Sequence, residues 1–276
     1  MSGTAARDAL DSARIAIGAA GCDTPRLDAE VLLAHVLGVE RERLLLDDLS
    51  VQGPSVRAFQ DAVRRRSVLR EPVAYIVGRR AFRNLEIACD PRALVPRPET
   101  ELLVEAALEL PARSRVLDVG TGSGAVALAL ADERPDLEVT GSDRSPAALA
   151  LARANALRLG LEVAFIETDL LAGVPDEFDA VVANLPYVAD GERATLAPEI
   201  ARHEPAEALF AGPDGLDAIR ALAAQLAGRR GVRFVALEHG AGQAHAVREL
   251  MAGAGFARVE SIRDLAGIER VARGAR

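Results

Sequence analysis

The chain has 276 residues, of which 50% are hydrophobic, and a formal net charge of −8. At about 100–200 residues per domain this admits one large domain or two smaller ones, and the acidic balance argues against a protein that grips long nucleic acid, which needs a basic face. All 33 basic residues are arginine, so a P-loop lysine, a Schiff-base lysine and a lysine nucleophile are excluded together. No apolar run is long enough to span a bilayer, and no basic segment precedes an apolar one at the N-terminus, so neither an anchor nor a leader is expected. Cys22 and Cys89 are the only cysteines and show no CxxC spacing. That argues against a disulfide framework or a thiolate metal site and fits a reducing cytoplasm.

Residues 4–72 read as helical throughout. Thr24-Pro25 has the form of an N-cap followed by proline at the first helical position. Leu27, Val31, Leu32, His35 and Val36 then recur at helical spacing until Gly38, and two further helices are expected over Glu40–Asp48 and Pro54–Arg70. Arg57, Arg64, Arg65, Arg66 and Arg70 form either a solvated helix face or a surface for an acidic partner. After Glu71-Pro72 the character changes. Ala81 to Ala88 alternates as a hairpin would. Pro96-Arg97-Pro98-Glu99-Thr100-Glu101 is then a rigid lead into a helix, with Arg97 held between two prolines.

From Arg115 onward strands and helices alternate, which predicts an α/β fold with a mostly parallel, doubly wound sheet. Seven strands are expected, over 116–119, 138–142, 162–167, 178–183, 232–238, 257–262 and 268–272. Helices are expected over about 123–133, 146–159, 215–229 and 241–253. The last two strands have only a short connection and should pair antiparallel.

The first strand runs into Asp118-Val119-Gly120-Thr121-Gly122-Ser123-Gly124. Glycines at a strand-to-helix turn let a ligand approach the backbone. Asp143 ends the second strand, 19 residues beyond Gly124, where a carboxylate can accept both ribose hydroxyls. This pattern reads as a nucleoside cofactor site, and Gly120-x-Gly122-x-x-Ala125 also satisfies the dinucleotide pattern. Three features favour S-adenosylmethionine. Asp118 can meet a ligand ammonium, Asp169 (beside Leu170) can accept from an adenine amino group, and Asn184-Leu185-Pro186-Tyr187 follows the fourth strand. The Asn side-chain oxygen and a neighbouring carbonyl can accept both hydrogens of an NH2 group, and the Tyr ring can lie against its plane. His203, His239 and His245 lack metal-ligand spacing, so no metal is expected.

With these residues assembled, the chain resembles the PrmC/HemK family, the protein-(glutamine-N5) methyltransferases of class 1 peptide chain release factors. The resemblance rests on Glu71-Pro72-Val73-Ala74-Tyr75-Ile76 with Gly78, on Phe82, on Pro96 to Glu101, and on Leu117 to Gly124. It continues through Asp143, Asn184 to Tyr187, Glu204-Pro205, Asp214-Gly215, Leu237-Glu238-His239-Gly240 with Gln243, and Arg263-Asp264 with Glu269-Arg270. It implies a class I (Rossmann-like) methyltransferase domain over 96–276, preceded by a small all-helical domain over 1–72 that docks the partner and a linker with a β-hairpin over 73–95. It also implies methyl transfer from S-adenosylmethionine to the glutamine of the Gly-Gly-Gln loop, which modulates translation termination and leaves S-adenosylhomocysteine. Asn184, Leu185, Pro186 and Tyr187 are then the catalytic residues, with Phe82 and Arg97 also meeting substrate. A cytoplasmic monomer with no membrane and no stable nucleic-acid partner is expected. One position departs: the family has Asn-Pro-Pro-Tyr, and Leu185 stands at the second place, as in ribosomal RNA adenine dimethyltransferases. An N6-adenine methyltransferase on RNA and a non-catalytic cofactor-binding module therefore stay open as alternatives.

Overall fold

The computed structural model describes residues 4–276; residues 1–3, at the start of the expected helical domain, lie outside the described residues. The chain divides into two compact units, one of residues 1–79 with 197–203, the other of 80–196 with 204–276. The helical unit thus runs on to Arg79 and takes in a segment from deep in the second half of the chain.

The helical unit contains β1 (Thr4–Ala5), α1 (Ala6–Ala19), α2 (Pro25–Leu37), α3 (Arg43–Leu46), β2 (Ser50–Val51), α4 (Pro54–Ser67) and α5 (Val73–Val77). It is not helical throughout, because β1 pairs antiparallel with β2. The helix expected over Glu40–Asp48 shrinks to α3. Gly38 ends α2 in the left-handed region at φ 65°. Thr24 precedes Pro25 as expected, but its hydroxyl donates to Asp28 Oδ1 (2.7 Å) and caps no backbone N–H. Ile17, Leu32, Leu33, Val51 and Phe59 form the core. The buried face of α2 is displaced from the expected one. Leu27 is exposed, whereas Asp28 and Glu30 are buried.

Asp28 is buried because Arg66 meets it. Arg66 Nε lies 2.6 Å from Asp28 Oδ2, and Arg66 Nη1 lies 3.0 Å from Glu199 Oε1. Arg70 Nη2 reaches Glu199 Oε2 at 2.6 Å, and Arg65 pairs with Glu71. Arg64 Nη2 also lies 3.0 Å from Asp61 Oδ1, so four of the five arginines read as a solvated face or a partner surface are ion-paired within the unit. Glu199 sits on the short helix Pro198–His203, which belongs to this unit, and His203 Nε2 is 2.8 Å from the Leu69 carbonyl.

The second unit begins within the expected hairpin, β3 (Arg79–Phe82) and β4 (Leu85–Ala88), at Arg80. There follow α6 (Glu101–Ala107), β5 (Arg115–Val119), α7 (Ala125–Glu133), β6 (Glu138–Asp143), α8 (Pro146–Leu159), β7 (Ala164–Glu167) and β8 (Ala180–Ala183). The helix Pro198–His203 is α9. Then come α10 (Asp217–Ala227), β9 (Phe234–Glu238), α11 (Ala244–Gly253), β10 (Arg258–Arg263) and β11 (Glu269–Ala275). The seven-stranded sheet has the order β10-β11-β9-β8-β5-β6-β7. β9, β8, β5, β6 and β7 are parallel, and β11 pairs antiparallel with both β9 and β10, as the short last connection requires. β8 is Ala-Val-Val-Ala with every residue buried, the mark of a central parallel strand covered on both faces. From β5 the chain winds outward through β6 and β7, then returns to β8 on the other side of β5. This reversal puts the C-terminal ends of β5 and β8 side by side, with Val119 in register with Ala183. Ligands of open α/β sheets bind at such a reversal.

Candidate active site

Gly120 follows Val119 and Asn184 follows Ala183, so the strand register brings the glycine loop and the Asn-Leu-Pro-Tyr loop together. Gly120, Gly122 and Gly124 all have positive φ (73°, 56° and 84°), a region that L side chains enter at a cost. At Gly120 the need is doubled, because a Cβ there would stand 3.1 Å from Leu185 Cδ2. Leu185 turns its side chain into the core, at 5% exposure, among Val119, Val181 and Leu216. What it offers a ligand is therefore its backbone.

These loops wall a cavity of about 500 Å³. Of the expected cofactor residues, Asp118, Gly120, Thr121, Gly122, Ser123, Asp143, Asp169, Leu170 and Asn184 line it. Gly124 does not; it makes the turn into α7, and a Cβ there would meet Leu128 and Ala152. Leu170 is one of four non-glycine residues with positive φ (53°) among the described residues, strain of the sort that gathers at functional sites. Asp143 Oδ2 accepts from Gly122 N (2.9 Å) and Oδ1 from Ser145 N (2.8 Å). Each oxygen keeps a lone pair for a hydroxyl.

Asp118 is 1% exposed. Its Oδ2 accepts from Thr121 Oγ1 (2.6 Å) and Ala127 N (3.2 Å). Burial pushes this carboxyl up to about 7, the Asp143 charge adds to the rise, and the bonds from Thr121 and Ala127 oppose it. No cation takes part in that balance. A buried acid on a cavity wall without a counter-charge suits a ligand ammonium. Together with the glycine cradle and the Asp143 carboxylate, the donor set fits S-adenosylmethionine.

On the other wall stand Asn184, Leu185 and Pro186. Asn184 Nδ2 donates to Thr100 Oγ1 at 2.9 Å, which turns Oδ1 away from Thr100. Arg97 also lines the cavity, held by Glu204 Oε1 (2.5 Å). Two expected substrate contacts fall elsewhere. Phe82 is 1% exposed, one of the largest fully buried side chains, and is not on the cavity wall. Its alternating strand presents it to the core. Tyr187 also stands off the wall, with its hydroxyl donating to Glu238 Oε1 at 3.2 Å. Burial first, then the Glu238 charge, raises the phenol well above its ordinary range.

Several residues that matter were not singled out from the sequence. Phe210 is the aromatic side chain on the cavity wall, and Arg193 stacks over it at 4.0 Å. Val188 bridges to Phe210 and pins the loop that leaves Tyr187. Asn155 ties the Ala88 backbone to the Ser123 carbonyl; Gln243, already named in the resemblance, donates from Nε2 to the Tyr187 carbonyl (3.0 Å). Asn155 gives no sequence signal, since an asparagine inside a helix is ordinarily solvated. Phe210 had a weak one, an aromatic just before Gly212 in a chain with 3% aromatics.

A seven-stranded, mostly parallel sheet with a glycine loop after its first parallel strand and Asn-x-Pro-Tyr after its fourth defines a class I methyltransferase domain. Residues 98–211 match the methyltransferase small domain, and residues 8–78 match the PrmC N-terminal domain. A release factor glutamine methyltransferase of Bordetella pertussis is 45% identical over 256 residues, covering 91% of this chain and 94% of that protein. One from Deinococcus radiodurans is 46% identical over 225 residues, 80% of each chain. A solved methyltransferase from Pyrococcus furiosus shares the fold, with a TM-score of 0.53 and 18% identity, covering 71% of this chain and 90% of that one. The chain belongs to the release factor glutamine methyltransferase family.

Proposed function

We infer that the protein transfers a methyl group to the side-chain amide nitrogen of the glutamine in the Gly-Gly-Gln loop of class 1 peptide chain release factors. The donor is S-adenosylmethionine, and S-adenosylhomocysteine is left. The observation that carries this reading is the pair of acceptors, Asn184 Oδ1 and the Leu185 carbonyl, at the end of β8 beside the glycine loop. Asp118, Asp143 and Asp169 would hold the ammonium, ribose and adenine ends of the cofactor, with Gly120 and Gly122 admitting it to the backbone. When bound, the cofactor supplies an electrophilic methyl group.

A glutamine amide nitrogen is a weak nucleophile because its lone pair is shared with the carbonyl. Asn184 Oδ1 and the Leu185 carbonyl accept its two hydrogens and point the remaining electron density into the cavity. Its N–H groups become stronger donors as positive charge grows on the nitrogen, so both bonds strengthen in the transition state. Fixed alignment is the second contribution, worth roughly 7–11 kcal/mol for near-attack geometry. The methylated nitrogen then sheds a proton readily, so no strong base is needed.

Leu185 was the ground for an RNA adenine reading. Its side chain lies in the core, and the carbonyl it presents is one any residue supplies. Pro186 holds it in extended conformations. Offering labelled cofactor with purified release factor and ribosomal RNA side by side decides between the two acceptors. We assign partner docking to the helical unit. Removing residues 1–72 should raise KM on intact release factor and spare turnover of a short Gly-Gly-Gln peptide; an unchanged KM overturns that assignment.

A further inference from the structure

Asn184 and the Leu185 carbonyl can aim at a substrate only while the loop that carries them is held at both ends. The sheet holds its entry, since Ala183 is in register with Val119 of β5 and with Leu237 of β9. Further on, Leu185 packs in the core, but Pro186 has no N–H with which to bond. The exit is held by a side chain from another part of the chain. Gln243, one residue before α11, accepts at Oε1 from Gly240 N (2.8 Å), and its Nε2 donates to the carbonyls of Tyr187 (3.0 Å) and Asp214 (3.1 Å). Both hydrogens of its amide are thus spent on carbonyls, one of them in the Asn-Leu-Pro-Tyr loop.

Two glycines leave room for this side chain. A Cβ on Gly215 would stand 2.2 Å from the Tyr187 carbonyl oxygen and 2.8 Å from Gln243 Nε2. A Cβ on Gly240 would stand 2.9 Å from Gln243 Oε1 and 3.3 Å from Tyr187 Cδ2. Gly215 is also left-handed, at φ 74°, whereas Gly240 is not among the glycines of positive φ. At Gly240 the close approach of Gln243 and Tyr187, rather than the backbone, is what calls for glycine. The loop exit, the Asp214-Gly215 turn and the end of β9 therefore meet on one amide, which is itself off the cavity wall.

We propose that Gln243 is a positioning residue for methyl transfer: by holding the Tyr187 carbonyl it fixes the exit of the loop, and with it the directions of Asn184 Oδ1 and the Leu185 carbonyl. The proposal rests on the acceptor role given to those two groups above. Two acceptors stabilise a developing charge only while they keep the spacing and direction of the two amide hydrogens. A loop free at its exit spreads over many orientations, most of which meet one hydrogen or neither. Gln243 is named in the family resemblance without a role, and its three bonds give it one.

Gln243→Glu keeps the shape and the acceptor for Gly240 N, but an ionised carboxylate has no hydrogen for either carbonyl. It should lower kcat about tenfold or more and leave the affinity for S-adenosylmethionine, titrated in free enzyme, nearly unchanged. Gln243→Ala should behave alike. Gly240→Ala reaches the same contact from the other side; alone it should lower kcat comparably, and in a Gln243→Ala background it should add little, because the atom it crowds is gone. A role in folding alone would instead lower Tm and leave kcat per folded molecule at the wild-type value. A second readout needs no acceptor: the Asn184 side-chain NH2 signal in 15N NMR, assigned by its loss in Asn184→Ala. It should move or broaden in Gln243→Ala. Failure of the wild type to methylate release factor would count against the function proposed above and leave this readout able to decide. An Asn184 signal unmoved in Gln243→Ala, or wild-type kcat in both Gln243 variants, overturns the proposal.

Discussion

The helical unit and the methyltransferase unit both bury charge, and they treat it in opposite ways. In the helical unit Arg66 lies between Asp28 and Glu199, and Arg70 completes Glu199. In the methyltransferase unit Asp118 and Glu238 are equally buried, yet neither touches a cation, and burial pushes both carboxyls up to about 7. Compensated buried charge holds a fold together; a buried acid without a counter-charge on a cavity wall, as Asp118 is, marks where a ligand is to be met. The two arrangements look alike in the sequence, where each is an acid in an apolar stretch.

The comparison can be broken most forcefully at Arg66. Arg66→Ala strips the partner from two acids, and removing one member of a buried ion pair typically costs about 3–5 kcal/mol. Chemical denaturation should show that loss, with kcat per folded molecule preserved; a loss under about 1 kcal/mol would mean the pair is merely solvated. The converse change is Asn184→Ala. Loss of one positioned hydrogen-bonding group at a transition state costs about 10²–10³-fold in kcat, and here stability and cofactor binding should hold. A fall in kcat under about tenfold would mean that Asn184 does not accept the substrate amide.

A smaller effect sharpens the contrast. An acid whose pKa is higher in the folded chain than in the unfolded one binds its proton more tightly when folded. The stability it lends is complete below the unfolded value and is lost as pH rises through the folded value. Asp118 and Glu238 should thus lower Tm between about pH 4 and 7. Asp118→Asn and Glu238→Gln should each flatten that fall by a few degrees, measured by thermal scans in free enzyme. Arg66→Ala should leave it as steep as in the wild type.

The methyltransferase unit was legible because its signals are local. Alternating strands and helices, left-handed glycines and an acid ending β6 need no distant partner to be read. The helical unit was less so, for the opposite reason. Asp28 is buried only because Arg66, a whole helix later, reaches it, and a periodicity argument on α2 alone chose the wrong face. The arginines on and just after α4 read as a solvated face or a surface until Glu199, far along the chain, pairs with Arg66 and Arg70. At the site, the residues that touch the cavity were mostly found, and those that aim them were not. Thr100, which accepts from Asn184 Nδ2, stands inside Pro-Arg-Pro-Glu-Thr with no local signal of that contact. Phe82 is expected at the substrate; the structure places it in the core and off the cavity wall, where an aromatic at a hairpin corner also packs.

The central claim is methyl transfer to a glutamine amide, and the most direct measurement is incorporation of labelled methyl groups with purified release factor and ribosomal RNA offered together. The account predicts label on the protein alone, on the side-chain nitrogen of the single glutamine in the Gly-Gly-Gln loop, lost in Asn184→Ala. Label on the RNA, or none on either while cofactor binds, would contradict it.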